Sequence, residues 1–171
     1  MYRVVGRRDV DEFPAKADRG FRYDVASYRA VLSKQALPHV PDWADYPRIV
    51  AEHQLLQRAE NDEFDEVWLF GGPYFGYWEA AMAGTGAYFC NGGPVPNSPC
   101  RRRFVIMGFN YQRDVGPMLE DLGHRAETML AHRFGSDDFW SWAYNRERAP
   151  ATTEAGRLNL LERFLCFVPL Q

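Results

Sequence analysis

The run Glu66-Val67-Trp68-Leu69-Phe70, which ends on Gly71-Gly72-Pro73, constrains the chain more than any other feature. It is short, nearly continuous in apolar character, rich in aromatic and β-branched residues, and closed by helix breakers. Those are the properties of a buried strand leaving a core. Arg103 to Gly108, running on into Phe109-Asn110-Tyr111, has the same character and predicts a second core strand. A shorter strand is expected over Tyr2 to Val5.

Upstream of the first run the apolar residues recur at spacings of three and four. Asp24 can cap the amides that follow it, and Val25, Tyr28, Val31 and Leu32 form one helical face that should stop before Pro38. Asp45 is a second N-cap, with Pro47 in the first turn, where a missing amide hydrogen costs little; Ile49, Val50, His53 and Leu56 supply the apolar face. The polar turn Glu60-Asn61-Asp62-Glu63 then leads into the strand. Gly116-Pro117 opens the clearest helix, expected through about Phe134 with Gly135 as its stop. A short aromatic helix over Asp137 to Tyr144 and another capped by Thr152, carrying Leu158, Leu161 and Leu165, complete the prediction. Helix followed by buried strand marks an α/β layer. The expectation is one α/β domain over residues 1–171, a small buried sheet flanked by helices, with a truncated or diverged part after about 135.

The 171 residues are enough for a sizeable core, and 46% hydrophobic with 25% charged residues is ordinary globular composition. A net charge of −3 with a sequence pI near 5.8 provides no field to collect nucleic acid or anionic lipid. The run Arg101-Arg102-Arg103 reads as a solvated strand entrance rather than a phosphate site. No secretory h-region stands at Met1 to Arg8, and no stretch approaches the ~18–20 apolar residues of a membrane span. Cys90 and Cys100 flank a Gly-, Pro- and Asn-rich loop. Two readings stand open there: reduced thiols, or a disulfide adding about 2–3 kcal/mol, which would imply an extracytoplasmic location. Cys166, in an apolar segment, reads as a buried, inert thiol.

The residues able to carry chemistry gather in the last part of this region. At 100° per residue, Glu120, His124 and Glu127 fall within about 60° of one another, while Met118, Leu122, Ala126 and Met129 form the stripe expected to be buried. A His-x-x-Glu pair on one helical face can ligate zinc, with a further carboxylate taking the proton of a bound water. His124 and Glu127 are the candidate metal ligands; Glu120 or Glu79 handles protons; His39, Asp42 or Glu79 would complete the set. His53 reads as a core histidine, and His132 lies about 12 Å further along the helix axis, too far to share the ion.

Ligands gather beyond the carboxyl ends of strands in open α/β sheets. Two segments lie there: Gly71 to Glu79, and Asn110-Tyr111-Gln112-Arg113. Asn110 can orient a substrate and Arg113 can bind a carboxylate or a developing negative charge. Neither a phosphate loop nor a Gly-x-Ser-x-Gly elbow is present, which disfavours nucleotide binding and serine catalysis. The expectation is a metal-dependent hydrolase or peptidase-like domain, with zinc as the metal. The alternative is a non-catalytic domain that uses the Tyr74 to Trp78 aromatics to bind a small molecule, peptide or glycan, or another protein.

From Asp45 through Glu127, about half of its length, the chain resembles a group of bacterial proteins to which no reaction is assigned. The blocks that carry the resemblance are Asp65-Glu66-Val67-Trp68-Leu69-Phe70, Gly76-Tyr77-Trp78-Glu79, Met82-Ala83-Gly84, Phe89-Cys90-Asn91, Phe104 to Tyr111, and Gly123-His124-Arg125-Ala126-Glu127. It singles out Glu79, Asn110, His124 and Glu127 together. It also implies a later histidine to complete a metal set, and this chain has none after His132.

Overall fold

A computed structural model describes residues 2–18 and 20–134. The chain divides into two compact units, Met1–Arg125 and Ala126–Gln171. The three strands seen among the described residues all belong to the first unit. The expected features at Gly135, Asp137 to Tyr144, Thr152 to Leu165 and Cys166, with the divergence after about 135, lie outside the described residues.

Helix α1 is Val25–Leu32. Asp24 caps it reciprocally: its Oδ1 accepts from the Ser27 amide at 2.7 Å, and Ser27 Oγ accepts from the Asp24 amide at 3.0 Å. Helix α2, Tyr46–Glu52, starts as predicted, with Asp45 accepting from the Arg48 amide at 3.1 Å and Pro47 in the first turn. The expected continuation to Leu56 is broken. His53 closes α2, Gln54 turns left-handed at φ 53°, and α3 runs over Leu55–Glu60. On one straight helix Leu55 and Ala59 would project roughly 120° and 80° away from Ile49. The break turns them into the core that Tyr46, Ile49 and Val50 already occupy.

The sheet has three strands, β1 Glu66–Gly71, β2 Ala80–Ala83 and β3 Phe104–Asn110, in the order β1-β3-β2. β1 runs parallel to β3 and β2 antiparallel to it. The architecture is α/β, as the alternation of helix and strand predicts. α2 and α3 cover one face, where Ala81, Ala83, Phe104 and Ile106 meet Ile49, Leu55 and Ala59. Central β3 is buried from Phe104 to Phe109. β1, expected to be buried on both sides, is an edge strand. Val67 and Leu69 pack against the core, while Trp68 and Phe70, in register with Met107 and Phe109 on the other face, remain 40% and 41% exposed. β2 is fully buried and went unpredicted, because Ala80-Ala81-Met82-Ala83 has neither β-branched residues nor alternation; pairing to β3 makes it a strand.

Tyr2 to Val5 forms no ladder and is exposed, although the Tyr2 ring meets Trp68 at 5.3 Å. Cys90 and Cys100 are free, buried thiols, so of the two readings the disulfide is the one the fold does not adopt. Cys100 belongs to the core cluster and lies 3.6 Å from the Leu56 carbonyl; Cys90 lies outside that cluster. The arginine run is a solvated entrance answered by acids, with Arg102 2.7 Å from Asp62 and 2.5 Å from Asp65. Helix α4 is Val115–Phe134. Among the described residues no helix is long and apolar enough to cross a membrane.

Candidate functional site

The turn that follows β1 is anchored from beneath by a buried lysine. The Lys16 side chain is 0% exposed, and its Nζ lies 2.5 Å from Asp42 Oδ1 and 2.5 Å from the Tyr74 carbonyl oxygen. The same two segments are joined by the Ala44 amide donating to the Gly76 carbonyl at 2.9 Å. Gly76 is required there: its φ is +78°, and a Cβ would sit 2.2 Å from the Asp42 carbonyl oxygen.

Tyr77, Trp78 and Glu79 then pass close over β3. A Cβ on Gly108 would lie 2.4 Å from the Trp78 carbonyl oxygen and 2.5 Å from Tyr77 Cβ, so only glycine admits this approach. The Trp78 amide donates to Tyr46 Oη at 2.8 Å, and the two rings stack at 5.1 Å. Gly108 donates its amide to the Glu79 carbonyl at 3.2 Å, which sets Glu79 at the entrance of β2. Its carboxylate receives two side chains. Asn91 Nδ2 donates to Oε2, and His124 Nδ1 lies 2.8 Å from the same oxygen. A carboxylate can only accept, so the hydrogen of the second contact belongs to Nδ1 and the basic lone pair of His124 sits on Nε2.

Glu79 opens onto a cavity of about 280 Å³. Tyr74, Phe75, Tyr77 and Trp78 contribute to one part of its wall; the turn after β3 contributes Asn110 and Arg113; the first turns of α4 contribute Pro117, Met118 and Asp121. Burial pushes the Tyr77 hydroxyl up to about 12, which leaves it a neutral donor and acceptor. Asp121 is 6% exposed, and its Oδ1 has no hydrogen-bond partner among the described residues. Burial, and after it the charge of Glu79, holds its carboxyl above the ordinary carboxylate range.

The predicted residues are distributed unevenly about this cavity. Glu79 and His124 are brought together, and Asn110 and Arg113 line the wall. Asn110 Oδ1 also accepts from the Gln112 amide at 2.9 Å, so its side chain shapes the turn that carries Arg113. Glu120 is not part of the wall; its side chain is 58% exposed and 4.0 Å from Arg113. His39 is stacked on Phe21 at 3.9 Å and bonded to Asp18 at 2.8 Å, and Asp42 is held by Lys16. His53 closes α2 with Nδ1 buried and unpartnered among the described residues, which departs from a satisfied core histidine. Glu127 and His132 fall in the second unit. Among the described residues no group of three or more His, Cys, Asp or Glu is arranged to hold a metal ion.

The orientation of α4 corrects the expectation. The predicted buried stripe included Leu122 and Ala126, yet Ala126 is exposed and Leu122 half-buried, while Asp121 is buried. Arg125, 15% exposed, lies 2.6 Å from Glu66, itself 16% exposed. The helix presents polar side chains to the sheet because acids wait there: Glu66 on β1 answers Arg125, and Glu79 answers His124. Asp121, Asn91, Lys16 and Glu66 were thus absent from the predicted site. Asn91 lay in a loop read as turns alone, and a one-residue neighbour of Glu120 gives no signal of burial when the helix face is assigned from apolar spacing.

Comparison of the chain with protein-family models, curated proteins and solved structures gives no match.

Proposed function

We propose that the protein is a hydrolase of small esters or amides in which His124 Nε2 removes the proton of the attacking water. The observation that carries this reading is the 2.8 Å contact of His124 Nδ1 with Oε2 of Glu79, the partner of the two that lines the cavity. Glu79 fixes the tautomer and steadies the imidazolium that forms as the water hydrogen arrives on Nε2. Arg113, at the wall, supplies positive charge for the oxyanion created when the hydroxide oxygen bonds to the carbonyl carbon. The imidazolium then returns its proton to the leaving alkoxide or amine.

Zinc enters the proposal through sequence, in the His-x-x-Glu spacing of His124 and Glu127. A carboxylate behind a ligating imidazole, as Glu79 stands behind His124, is what such a ligand uses to orient its coordinating nitrogen. A second, non-catalytic reading rests on the four aromatic residues Tyr74, Phe75, Tyr77 and Trp78 in the wall, which suit a ligand that is bound and not turned over.

The test is turnover of p-nitrophenyl esters and aminoacyl p-nitroanilides by the full chain, with metal content measured on the same preparation. His124→Ala should abolish turnover, and Glu79→Gln should lower kcat by about 10²-fold or more with a displaced pH profile. No turnover by the wild type rejects catalysis, and equal turnover by His124→Ala rejects His124 as the base. Stoichiometric zinc lost in His124→Ala supports the metal form; catalysis without zinc removes that part of the proposal.

A further inference from the structure

Asn91 reaches the site from a loop that clamps it on both sides. Cys90 before it is wholly buried and donates its amide to the Gly92 carbonyl at 3.0 Å. Gly92 after it lies so close to β2 that a Cβ would sit 2.2 Å from the Ala80 carbonyl oxygen and 2.8 Å from the Trp78 ring. Further on, the Val95 amide donates to the Met82 carbonyl at 2.8 Å, which carries the loop back along the strand. Asn91 itself is left-handed at φ 59°, a conformation that asparagine tolerates better than most residues with a side chain. Its amide is thereby set against the entrance of β2, where Glu79 stands.

Both donors to Glu79 converge on one atom. Asn91 Nδ2 donates to Oε2, and His124 Nδ1 lies 2.8 Å from that same oxygen. A carboxylate oxygen offers two lone pairs, so two donors occupy it and fix the rotation of the carboxylate plane. With His124 alone the plane could turn about its last bond, and because the Glu79 side chain is 37% exposed, water would compete for the oxygen. The imidazole would then lose the partner that decides which of its nitrogens carries hydrogen. An amide suits this task. It is neutral and its nitrogen can only donate, so it holds the oxygen without neutralising the carboxylate as a lysine or arginine would.

We propose that Asn91 is a positioning residue of this site: its amide holds Glu79 Oε2 at His124 Nδ1 and so keeps the imidazole in the tautomer that leaves Nε2 basic. Its effect on rate rests on the reading of His124 as the base; its effect on the tautomer belongs to the resting protein.

The experiment is a long-range ¹H–¹⁵N correlation spectrum of the full chain, recorded where the imidazoles are neutral, with His124 assigned through its backbone. The wild type should show His124 predominantly as the Nδ1–H tautomer. Asn91→Gly removes the amide and keeps the backbone, since glycine takes φ 59° freely, and in it both tautomers should be populated. With the p-nitrophenyl esters, kcat of Asn91→Gly should fall about tenfold while KM stays within about twofold. A wild type that mixes the two tautomers, an Asn91→Gly tautomer unchanged from wild type, or an active Asn91→Gly with unchanged kcat overturns the proposal. The first of these needs no variant to fold. A wild type without turnover whose tautomer still shifts in Asn91→Gly rejects the hydrolase alone and supports control of His124 by Asn91; turnover with an unshifted tautomer rejects the role of Asn91 alone.

Discussion

The Lys16 anchor sets up an asymmetry between its two partners that can be measured. Lys16 is wholly enclosed, whereas the Asp42 side chain is 41% exposed. Asp42→Ala leaves an ammonium group inside the protein with the Tyr74 carbonyl at 2.5 Å and the Tyr23 ring at 5.7 Å. Breaking a buried pair from one side costs about 3–5 kcal/mol, and water entering on the open Asp42 side moves this case to the lower end, about 3 kcal/mol. Lys16→Met is different. It loses charge-assisted bonds worth about 1.5–3 kcal/mol, but it also removes the ammonium's desolvation, and Asp42 turns to solvent, so the net cost is about 1–2 kcal/mol. The double variant has no stranded charge and should be more stable than Asp42→Ala alone, with a coupling of at least about 1 kcal/mol. Urea unfolding followed by tryptophan fluorescence, with midpoints compared at a common slope, gives all three values. Additive costs, or an Asp42→Ala variant no less stable than Lys16→Met, would refute the reasoning.

Gly108→Ala should lower stability by about 1–3 kcal/mol or more, because its methyl collides with the Trp78 backbone rather than with a flexible side chain; a thermal midpoint within error of wild type counts against the close approach. Cys90 and Cys100 are buried, and burial raises both thiols, so peptide-resolved iodoacetamide labelling at pH 8 should leave both unmodified in the native protein and modify both in urea. The Asp121 carboxyl is held above its ordinary 3.8 by burial and by Glu79, so as pH rises from there the unfolded chain releases this proton before the native one does, and stability from this group falls. Asp121→Asn should therefore gain stability relative to wild type between pH 4 and pH 7, as read by denaturation midpoints; a difference independent of pH removes the shift.

What was legible in the sequence depended on whether a local pattern decided the outcome. Asp24 and Asp45 sit before apolar spacings of three and four and cap α1 and α2, because capping involves only the next three residues. The apolar runs became β1 and β3 for similarly local reasons. The failures are non-local. Ala80–Ala83 becomes a strand only through its register with Phe104–Met107. Trp68 and Phe70 are exposed because β1 lies at the edge of the sheet, a matter of strand order that no window of sequence contains. The break at Gln54 serves Leu55 and Ala59, whose destination is the face of a sheet formed later in the chain.

The same distinction explains the site. Glu79 and His124 were both singled out, yet they were linked through a metal and not through the direct contact they make across 45 residues. Helical periodicity assigned the inner face of α4 to Met118, Leu122, Ala126 and Met129, on the premise that the partner surface is apolar. That premise fails here because the surface α4 meets carries Glu66 and Glu79. A helix facing two acids gains more by turning Arg125 and His124 inward than by burying Ala126, and Asp121, one turn before Arg125, is carried in with them. Burial of Asp121 is thus a consequence of pairing elsewhere on the helix. That origin accounts for a buried carboxyl oxygen with no partner of its own among the described residues.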